Sequence, residues 1–282
     1  MSLHFLSSIT GSFSQGAAEN PTVAMIEDAY KDLGINWRYV NCEVSPSNLS
    51  DAVKGAKAMN WKGFNCSVPH KVAIIEHLDG LGDSAKLIGA VNTVVERNGL
   101  YIGENTDGKG FLTGLTDILD IKGKRVLILG AGGAARAISV ELALAGVESI
   151  GIVNRNVDRG RDLVSLLNQN TSAKAYFIQW DHTVAVEQNI DILVNSTTIG
   201  LYPRTDQHVN INLSLVGSHT VVADVIPNPP ETNLLKAAKE KGCQTINGLE
   251  MLVNQGRLGI RYWTGLEANT DVMKACLNTI FA

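Results

Sequence analysis

The chain has 282 residues, of which 45% are hydrophobic and 18% charged, with a formal net charge of −4. These values describe an ordinary globular protein with enough apolar residues for one large or two modest domains. They exclude the broad basic field that nucleic acid needs, and no apolar run approaches the roughly 20 residues of a membrane span.

Leu3 to Ile9 reads as a first strand, and Thr10 to Gly16 as a loop rich in glycine and serine. Pro21 opens a helix to Leu33, since proline is tolerated at the first helical position, and Gly34 ends it. Trp37 to Val40 follows as a strand and Asn48 to Met59 as a helix. Gly63 to Val68 is a short strand broken by Pro69, with a helix from Lys71 to Leu78. This alternation predicts a small layered α/β domain over the first hundred residues. Val91 to Ile102 predicts a hairpin turning at Arg97-Asn98-Gly99, and Gly108 to Leu119 a helix leading out of the domain.

Arg125 to Leu129 has the composition of a buried parallel strand and runs into Gly130-Ala131-Gly132-Gly133-Ala134-Ala135. A helical pattern follows to Leu144, and a second strand, Ile150 to Val153, ends in Asn154-Arg155. Strand, glycine turn, helix and strand form the unit that holds a dinucleotide. Gly130 permits the tight exit, Gly132 lets the backbone approach a pyrophosphate, and Ala135 lets the helix pack close to the sheet. Free N–H groups at the helix start then face the phosphates. An NAD site carries Asp or Glu at the second strand end, whereas this chain has Asn154, Arg155 and Asn156, with Arg159 one turn on. Guanidinium groups match a 2′-phosphate bidentately, so the residues select NADP and NAD is the weaker fit. Solvated helix-end charges are the alternative for Arg155 and Arg159, with Asp158 able to pair with either.

Further on, Asp158 to Asn168 reads as a helix, Asp191 to Asn195 and Val221 to Val225 as strands, and Asn233 to Lys241 as a helix stopped at Gly242. Pro227, Pro229 and Pro230 mark a rigid loop after a strand end, and Glu250 to Ala282 is helical in pattern. Cys42, Cys66, Cys243 and Cys276 lie far apart without metal-ligand spacing, so a reduced protein with no metal is expected. Cys66 reads as a buried structural thiol. The amino terminus lacks a basic stretch followed by a long apolar one, and a cytoplasmic location is expected.

Two polar clusters follow strands in the first domain: Asn65 to Lys71, and Glu104-Asn105-Thr106-Asp107-Gly108. A lysine held against an aspartate moves a proton, which a ketone needs when hydride addition leaves an alkoxide. From composition alone, a surface lysine and a turn aspartate are the simpler account of Lys71 and Asp107.

The chain resembles the shikimate dehydrogenase family, including its quinate/shikimate members. The resemblance rests on Asn65 to Lys71, Gly89 to Thr93, Glu104 to Gly110, Gly130 to Arg136, Asn154-Arg155 with Arg159, Asn195 to Gly200, Asn228-Pro229 with Thr232, and Gly248 to Gln255. These run in the family's order over nearly the whole chain. The resemblance implies an α/β protein of two domains with the active site in the cleft between them. An α/β substrate domain, residues 1–108 completed by 249–282, is expected beside a Rossmann-type NADP-binding domain, residues 109–248. It implies NADPH-dependent reduction of 3-dehydroshikimate to shikimate, or of a closely related alicyclic hydroxy acid, with Lys71 and Asp107 as the catalytic pair. Asn65, Ser67, Asn92, Thr106 and Gln255 are implied on the substrate side. Gly130, Ala131, Gly132, Gly133, Ala134, Asn154, Arg155, Asn156, Arg159, Thr197, Val225 and Gly248 are implied on the cofactor side. His70 is expected to pack or line rather than react. The expected partner is a small molecule, with the chain a monomer or homodimer.

The departures concern one end of the substrate. The family binds a carboxylate with Ser-x-Ser-Pro opening the first long helix, whereas this chain has Ala18-Glu19-Asn20-Pro21. Pro227 stands where the family places a tyrosine. Loss of three donors, each worth about 1.5–3 kcal/mol when charge-assisted, points to another group at that end or to replacement hydroxyls from Ser7, Ser8, Ser12 or Ser14. The alternatives are therefore quinate, another cyclic polyol, or a non-catalytic NADPH-binding sensor, against which the intact Lys71 and Asp107 speak.

Overall fold

The computed structural model describes residues 5–281, and they divide into two compact units, one of residues up to 106 with 255–280 and one of residues 107–254. In chain order the first unit has β1 Ser8–Ser14, α1 Thr22–Asp32, β2 Trp37–Glu43, α2 Leu49–Ala58, β3 Gly63–Cys66, α3 His70–Ala73, β4 Gly80–Leu81, α4 Asp83–Ile88, β5 Thr93–Arg97 and β6 Leu100–Glu104. A 3-10 turn, Ala17–Glu19, joins β1 to α1. The sheet order is β2-β1-β3-β5-β6-β4, with β1 parallel to both β2 and β3 and the hairpin β5–β6 antiparallel.

The serine- and glycine-rich stretch expected as a loop is the strand β1, and the strand expected at Leu3 to Ile9 begins at Ser8; residues 1–4 lie outside the described part. Small residues here reflect crowding rather than a turn. A Cβ on Gly11 would meet the carbonyl oxygen of Val40 and come within 2.9 Å of the Trp61 ring. Phe13, on the same face of β1, stacks on Phe64 at 4.3 Å between centroids, and both join the core with Trp61, Leu49 and Val53. The opposite face of β1 carries Thr10, whose hydroxyl bonds Tyr30 of α1 at 2.8 Å. The hairpin turns through Asn98 and Gly99, both at positive φ, as Asn-Gly turns require.

The second unit contains α5 Thr106–Thr116 (whose first residue belongs to the other unit), β7 Arg125–Leu129, α6 Gly133–Leu144, β8 Ser149–Asn154, α7 Val157–Asn170, β9 Lys174–Gln179, β10 Val184–Ala185, β11 Ile192–Asn195, β12 Ile211–Asn212, β13 Val221–Asp224, α8 Asn233–Glu240 and β14 Gln244–Ile246. Its main sheet is wholly parallel in the order β14-β13-β11-β7-β8-β9. Counted along the chain this is the doubly wound order of a dinucleotide-binding fold, whose switch point lies between β7 and β11. The helical carboxyl terminus is broken into α9 Gly248–Thr264 and α10 Thr270–Ile280, with Gly265 at positive φ between them. From Gln255 onward these helices belong to the first unit, where Gly256 lets Met25 and Met273 meet the α9 backbone. Among the described residues no helix is long and apolar enough to cross a membrane.

Asp224, at the end of β13, is 1% exposed. Its carboxylate accepts from Asn195 at 3.0 Å, from Thr232 at 2.8 Å and from the Ile226 N–H at 3.1 Å, tying β11 and the cap of α8 to β13. Burial pushes its pKa up to about 6, against partial opposition from those hydrogen bonds. The folded protein therefore holds more protons than the unfolded chain between the ordinary aspartate range and pH 6. Stability falls as pH rises through that window and levels off above it.

Two outcomes follow from this packing. Gly11→Ala is expected to lower unfolding free energy by about 1–3 kcal/mol, the usual cost of overpacking, measured by urea denaturation. Between pH 4 and 7 the wild-type protein should lose up to about 3 kcal/mol that Asp224→Asn does not lose, since each pKa unit is worth about 1.36 kcal/mol. Parallel slopes for the two proteins would contradict that assignment.

Candidate active site

The parallel strands β1, β2 and β3 end together, and the first unit builds a polar rim there. Ser67 N–H donates to the Phe13 carbonyl at 3.1 Å, and Gln15 N–H to the Val68 carbonyl at 3.3 Å. The chain turns through the cis peptide Val68-Pro69 into the short helix α3, whose second residue is Lys71. His70 is 1% exposed and bonds the Val44 carbonyl through Nε2 at 2.8 Å, so it anchors α3 to the end of β2, in keeping with the expected packing role. The Lys71 carbonyl accepts from Val91 N–H at 2.7 Å, and the Asn92 carbonyl from Cys66 N–H at 2.8 Å.

A buried chain of hydrogen bonds runs behind this rim. Tyr39 donates to Asn65 Oδ1 at 2.7 Å, and Asn65 Nδ2 donates to the Asn92 carbonyl at 3.1 Å and to Thr93 Oγ1 at 3.0 Å. Asn92 Oδ1 accepts from the Thr106 N–H at 2.7 Å, and its Nδ2 donates to Thr106 Oγ1 at 3.0 Å. Thr106 opens α5, and Asp107 follows in the first helical turn, where a carboxylate complements the positive helix end. Gly108 is required there because a Cβ would strike the Ala137 carbonyl of α6. Both amide protons of Asn65 and the Thr106 N–H are thus spent inside the protein. Burial pushes the Cys66 thiol up, with partial opposition from Lys71, so Cys66 is no nucleophile.

The segment opening α1 is closed by its own polar groups. Ser12 donates to Asn41 Oδ1 at 2.8 Å, Asn41 Nδ2 donates to the carbonyls of Ala17 at 3.0 Å and Asn20 at 2.9 Å, and Asn20 Nδ2 donates to Ser12 Oγ at 3.3 Å. Among the serines weighed as replacement donors, Ser7 bonds Asn36 and Ser8 begins β1, about 20 Å of strand from Ser14. Ser7 and Ser8 are therefore at the wrong end of the sheet, and the hydroxyl proton of Ser12 is already used.

In the second unit Gly130, at φ 110°, leaves β7 so tightly that its Cβ position lies 3.0 Å from Ser196 Oγ and 3.2 Å from Thr197 Cγ2. Positions 132 and 133 open on empty space, so the backbone at the start of α6 is free to meet a pyrophosphate. Ala131, Gly132, Gly133, Arg136, Arg159, Asp162 and Leu163 line a pocket of about 310 Å³. Asn156 caps α7, its Oδ1 accepting from the Arg159 N–H at 2.9 Å, and so fixes the helix that carries Arg159. Asn154 Nδ2 donates to the Asn156 carbonyl at 2.8 Å, and Arg155 lies over the Trp180 ring at 5.6 Å. Thr197 Oγ1 donates to Asn195 Oδ1 at 2.7 Å and shapes the turn after β11. Val225 N–H donates to the Asn195 carbonyl at 3.0 Å, and Gly248 packs against the Ile226 backbone with no room for a Cβ. Gln255 is buried on α9.

A second pocket, of about 370 Å³, is lined by Arg155, Thr198, Ile199, Arg204, Gln207 and His208. Sequence reasoning did not single out Arg136, Arg204 or His208. The signal for Arg136 was its place one turn into the helix, from which a side chain reaches back over the glycine turn. Glycine turn, open helix start and paired arginines fit a dinucleotide with a 2′-phosphate, and Arg155, Arg159 and the Gly132-Gly133 backbone are the groups to hold it.

Comparison with known proteins agrees with this geometry. The shikimate dehydrogenase substrate binding domain matches residues 17–94, the shikimate/quinate 5-dehydrogenase domain residues 115–241 and the shikimate 5′-dehydrogenase C-terminal domain residues 248–275. The shikimate dehydrogenase (NADP+) of Desulforamulus reducens is 39% identical over 274 residues, 96% of this chain and 94% of that protein. The crystal structure of ligand-free 5-ketofructose reductase from Gluconobacter sp. strain CHM43 is 52% identical with a TM-score of 0.96, covering 99% of this chain and 100% of that one. Shikimate 5-dehydrogenase of Listeria monocytogenes, solved with shikimate and NAD, is 33% identical with a TM-score of 0.91, covering 98% of both chains. The chain belongs to the shikimate dehydrogenase family.

Proposed function

We propose that this protein is an NADP-dependent oxidoreductase that interconverts a ketone and a secondary alcohol on a small polyhydroxylated substrate carrying no carboxylate. The carrying observation is the segment that opens α1. Ala18 and Asn20 replace both hydroxyl donors of the family's carboxylate site, and Asn20 is tied into the Ser12–Asn41 network. The 52% identical relative is a 5-ketofructose reductase, which makes uncharged polyhydroxy ketones of that kind the first substrates to try. The second reading, 3-dehydroshikimate, is supported by the 39% identical relative named shikimate dehydrogenase.

NADPH supplies the hydride. The chain's own residues manage the proton and the orientation. A carbonyl reduced by hydride is left with negative charge on its oxygen, and the Lys71 ammonium would give that oxygen its proton. Asp107 is the second member of the proposed catalytic pair, and the neutral Lys71 amine would take the proton back when the alcohol is oxidised. Asn92 and Gln255 direct amide groups at substrate hydroxyls, with Ser67 beside them. Asn65 and Thr106 act behind Asn92, because Asn65 holds its main-chain carbonyl and Thr106 holds its carboxamide. Arg155 and Arg159 bind the 2′-phosphate. The four cysteines stand free, which suits a reducing compartment.

NADPH oxidation should be faster with a 5-ketofructose-type ketone than with 3-dehydroshikimate at equal concentration; the reverse order would transfer the assignment to the second reading. Lys71→Ala should lower kcat by about 10²–10⁴-fold, the usual worth of a positioned proton donor, with NADPH affinity nearly unchanged by fluorescence titration. Replacing Arg155 and Arg159 by alanine should raise the KM for NADP by roughly tenfold or more per residue, as loss of charge-assisted bonds to phosphate does, and leave turnover with NAD much less affected.

A further inference from the structure

The segment that joins β1 to α1 already holds a carboxylate, and it belongs to the protein. Glu43, the last residue of β2, accepts hydrogen bonds from the main-chain N–H groups of Gly16 at 3.1 Å and Ala17 at 2.8 Å. Gly16 is in the left-handed conformation (φ 71°, ψ 31°), which turns successive N–H groups toward one side in the manner of an anion-binding nest. An incoming anion would seek these two donors, and Glu43 has taken both. Glu19, exposed at the end of the same turn, adds a second negative charge. Residues 14–21 and 43–46 contain no lysine, arginine or histidine to offset them.

Glu43 is also linked to the segment that bears Lys71. The next residue, Val44, accepts through its carbonyl from the ring of His70, and His70 directly precedes Lys71. Val44 N–H in turn donates to the Ser14 carbonyl at 3.0 Å, which seats this corner on the end of β1. One hydrogen bond and the His70 side chain thus link the residue after Glu43 to the residue before Lys71.

We propose that Glu43 is a specificity-determining residue, whose fixed carboxylate excludes anionic ketones and confines the substrate class to uncharged polyhydroxy ketones. This rests on the reading of the protein as a ketone reductase using Lys71. Missing hydroxyl donors would merely weaken binding of a substrate carboxylate. A like charge fixed on the rim repels it, and discrimination by repulsion acts against the wrong substrate without demanding a new contact to the right one.

The test compares kcat/KM for 3-dehydroshikimate, an anion, with that for 5-ketofructose, which is uncharged, at saturating NADPH. Glu43→Gln keeps the size of the side chain and one acceptor oxygen. The anion-to-neutral ratio should rise about tenfold in Glu43→Gln, which corresponds to removal of one like-charge contact worth about 1.4 kcal/mol. Added sodium chloride should raise the same ratio in the wild-type protein, because salt screens charge, and should raise it less in the variant, which keeps only Glu19. A ratio that stays within twofold of wild type in the folded variant overturns the role of Glu43. So does a wild-type ratio that is flat or falling with salt, a measurement that needs no variant. Wild-type protein that reduces neither ketone with NADPH overturns the reductase reading and this role together.

Discussion

The carboxamide of Asn92 joins the parts on which the first unit's rim depends. Its oxygen accepts from the first N–H of α5, its nitrogen donates to Thr106, and its main-chain carbonyl receives both Cys66 N–H and Asn65 Nδ2. Strand β3, the start of the hairpin and Thr106 are therefore held through one buried residue, itself braced by the Tyr39–Asn65 pair. A buried network of this kind is costly if any member is unsatisfied and rigid if all are satisfied. Rigidity is what a proton donor needs, because small displacements of a reacting group cost large factors in rate.

In the second unit the corresponding constraint is close approach of backbone. Gly130 leaves β7 against Ser196 and Thr197, and Gly248 starts α9 against Ile226. Neither place admits a Cβ, so the crevice at the switch point is lined by main chain and short hydroxyls. Asp224 adds a buried carboxylate that ties β11, β13 and α8 together, and Asn156 spends its side chain on the cap that aims Arg159. Residues that read as cofactor contacts in the sequence therefore divide by task. Arg155, Arg159 and the Gly132-Gly133 backbone stand open to a ligand, while Asn156 and Thr197 shape the chain around it.

The matched domains span most of the chain. The segment opening α1, where the resemblance implied hydroxyl donors, is a self-contained network of Ser12, Asn20, Asn41 and Glu43. Such a network satisfies the Ser12, Asn20 and Asn41 side chains and the N–H groups of Gly16 and Ala17 within the protein.

Much of this was legible in the residues alone. The run Arg125 to Leu129 followed by glycines, the arginines after Asn154 and the Asn-Gly hairpin each carry local signals, because strand composition, positive-φ turns and phosphate matching are properties of neighbouring residues. The strand β1 misled, since its glycine and serines look like a loop until Trp61 and Val40 are seen pressing on Gly11. Ser7 and Ser8 looked eligible as donors until strand direction put them at the far end of the sheet. The sequence by itself determined the fold class, the cofactor and the absence of hydroxyls at Ala18 and Asn20. Only the tertiary structure decided that Glu43 fills the donors at Gly16 and Ala17, because those partners lie 27 and 26 residues away along the chain and meet only when β1 and β2 pair.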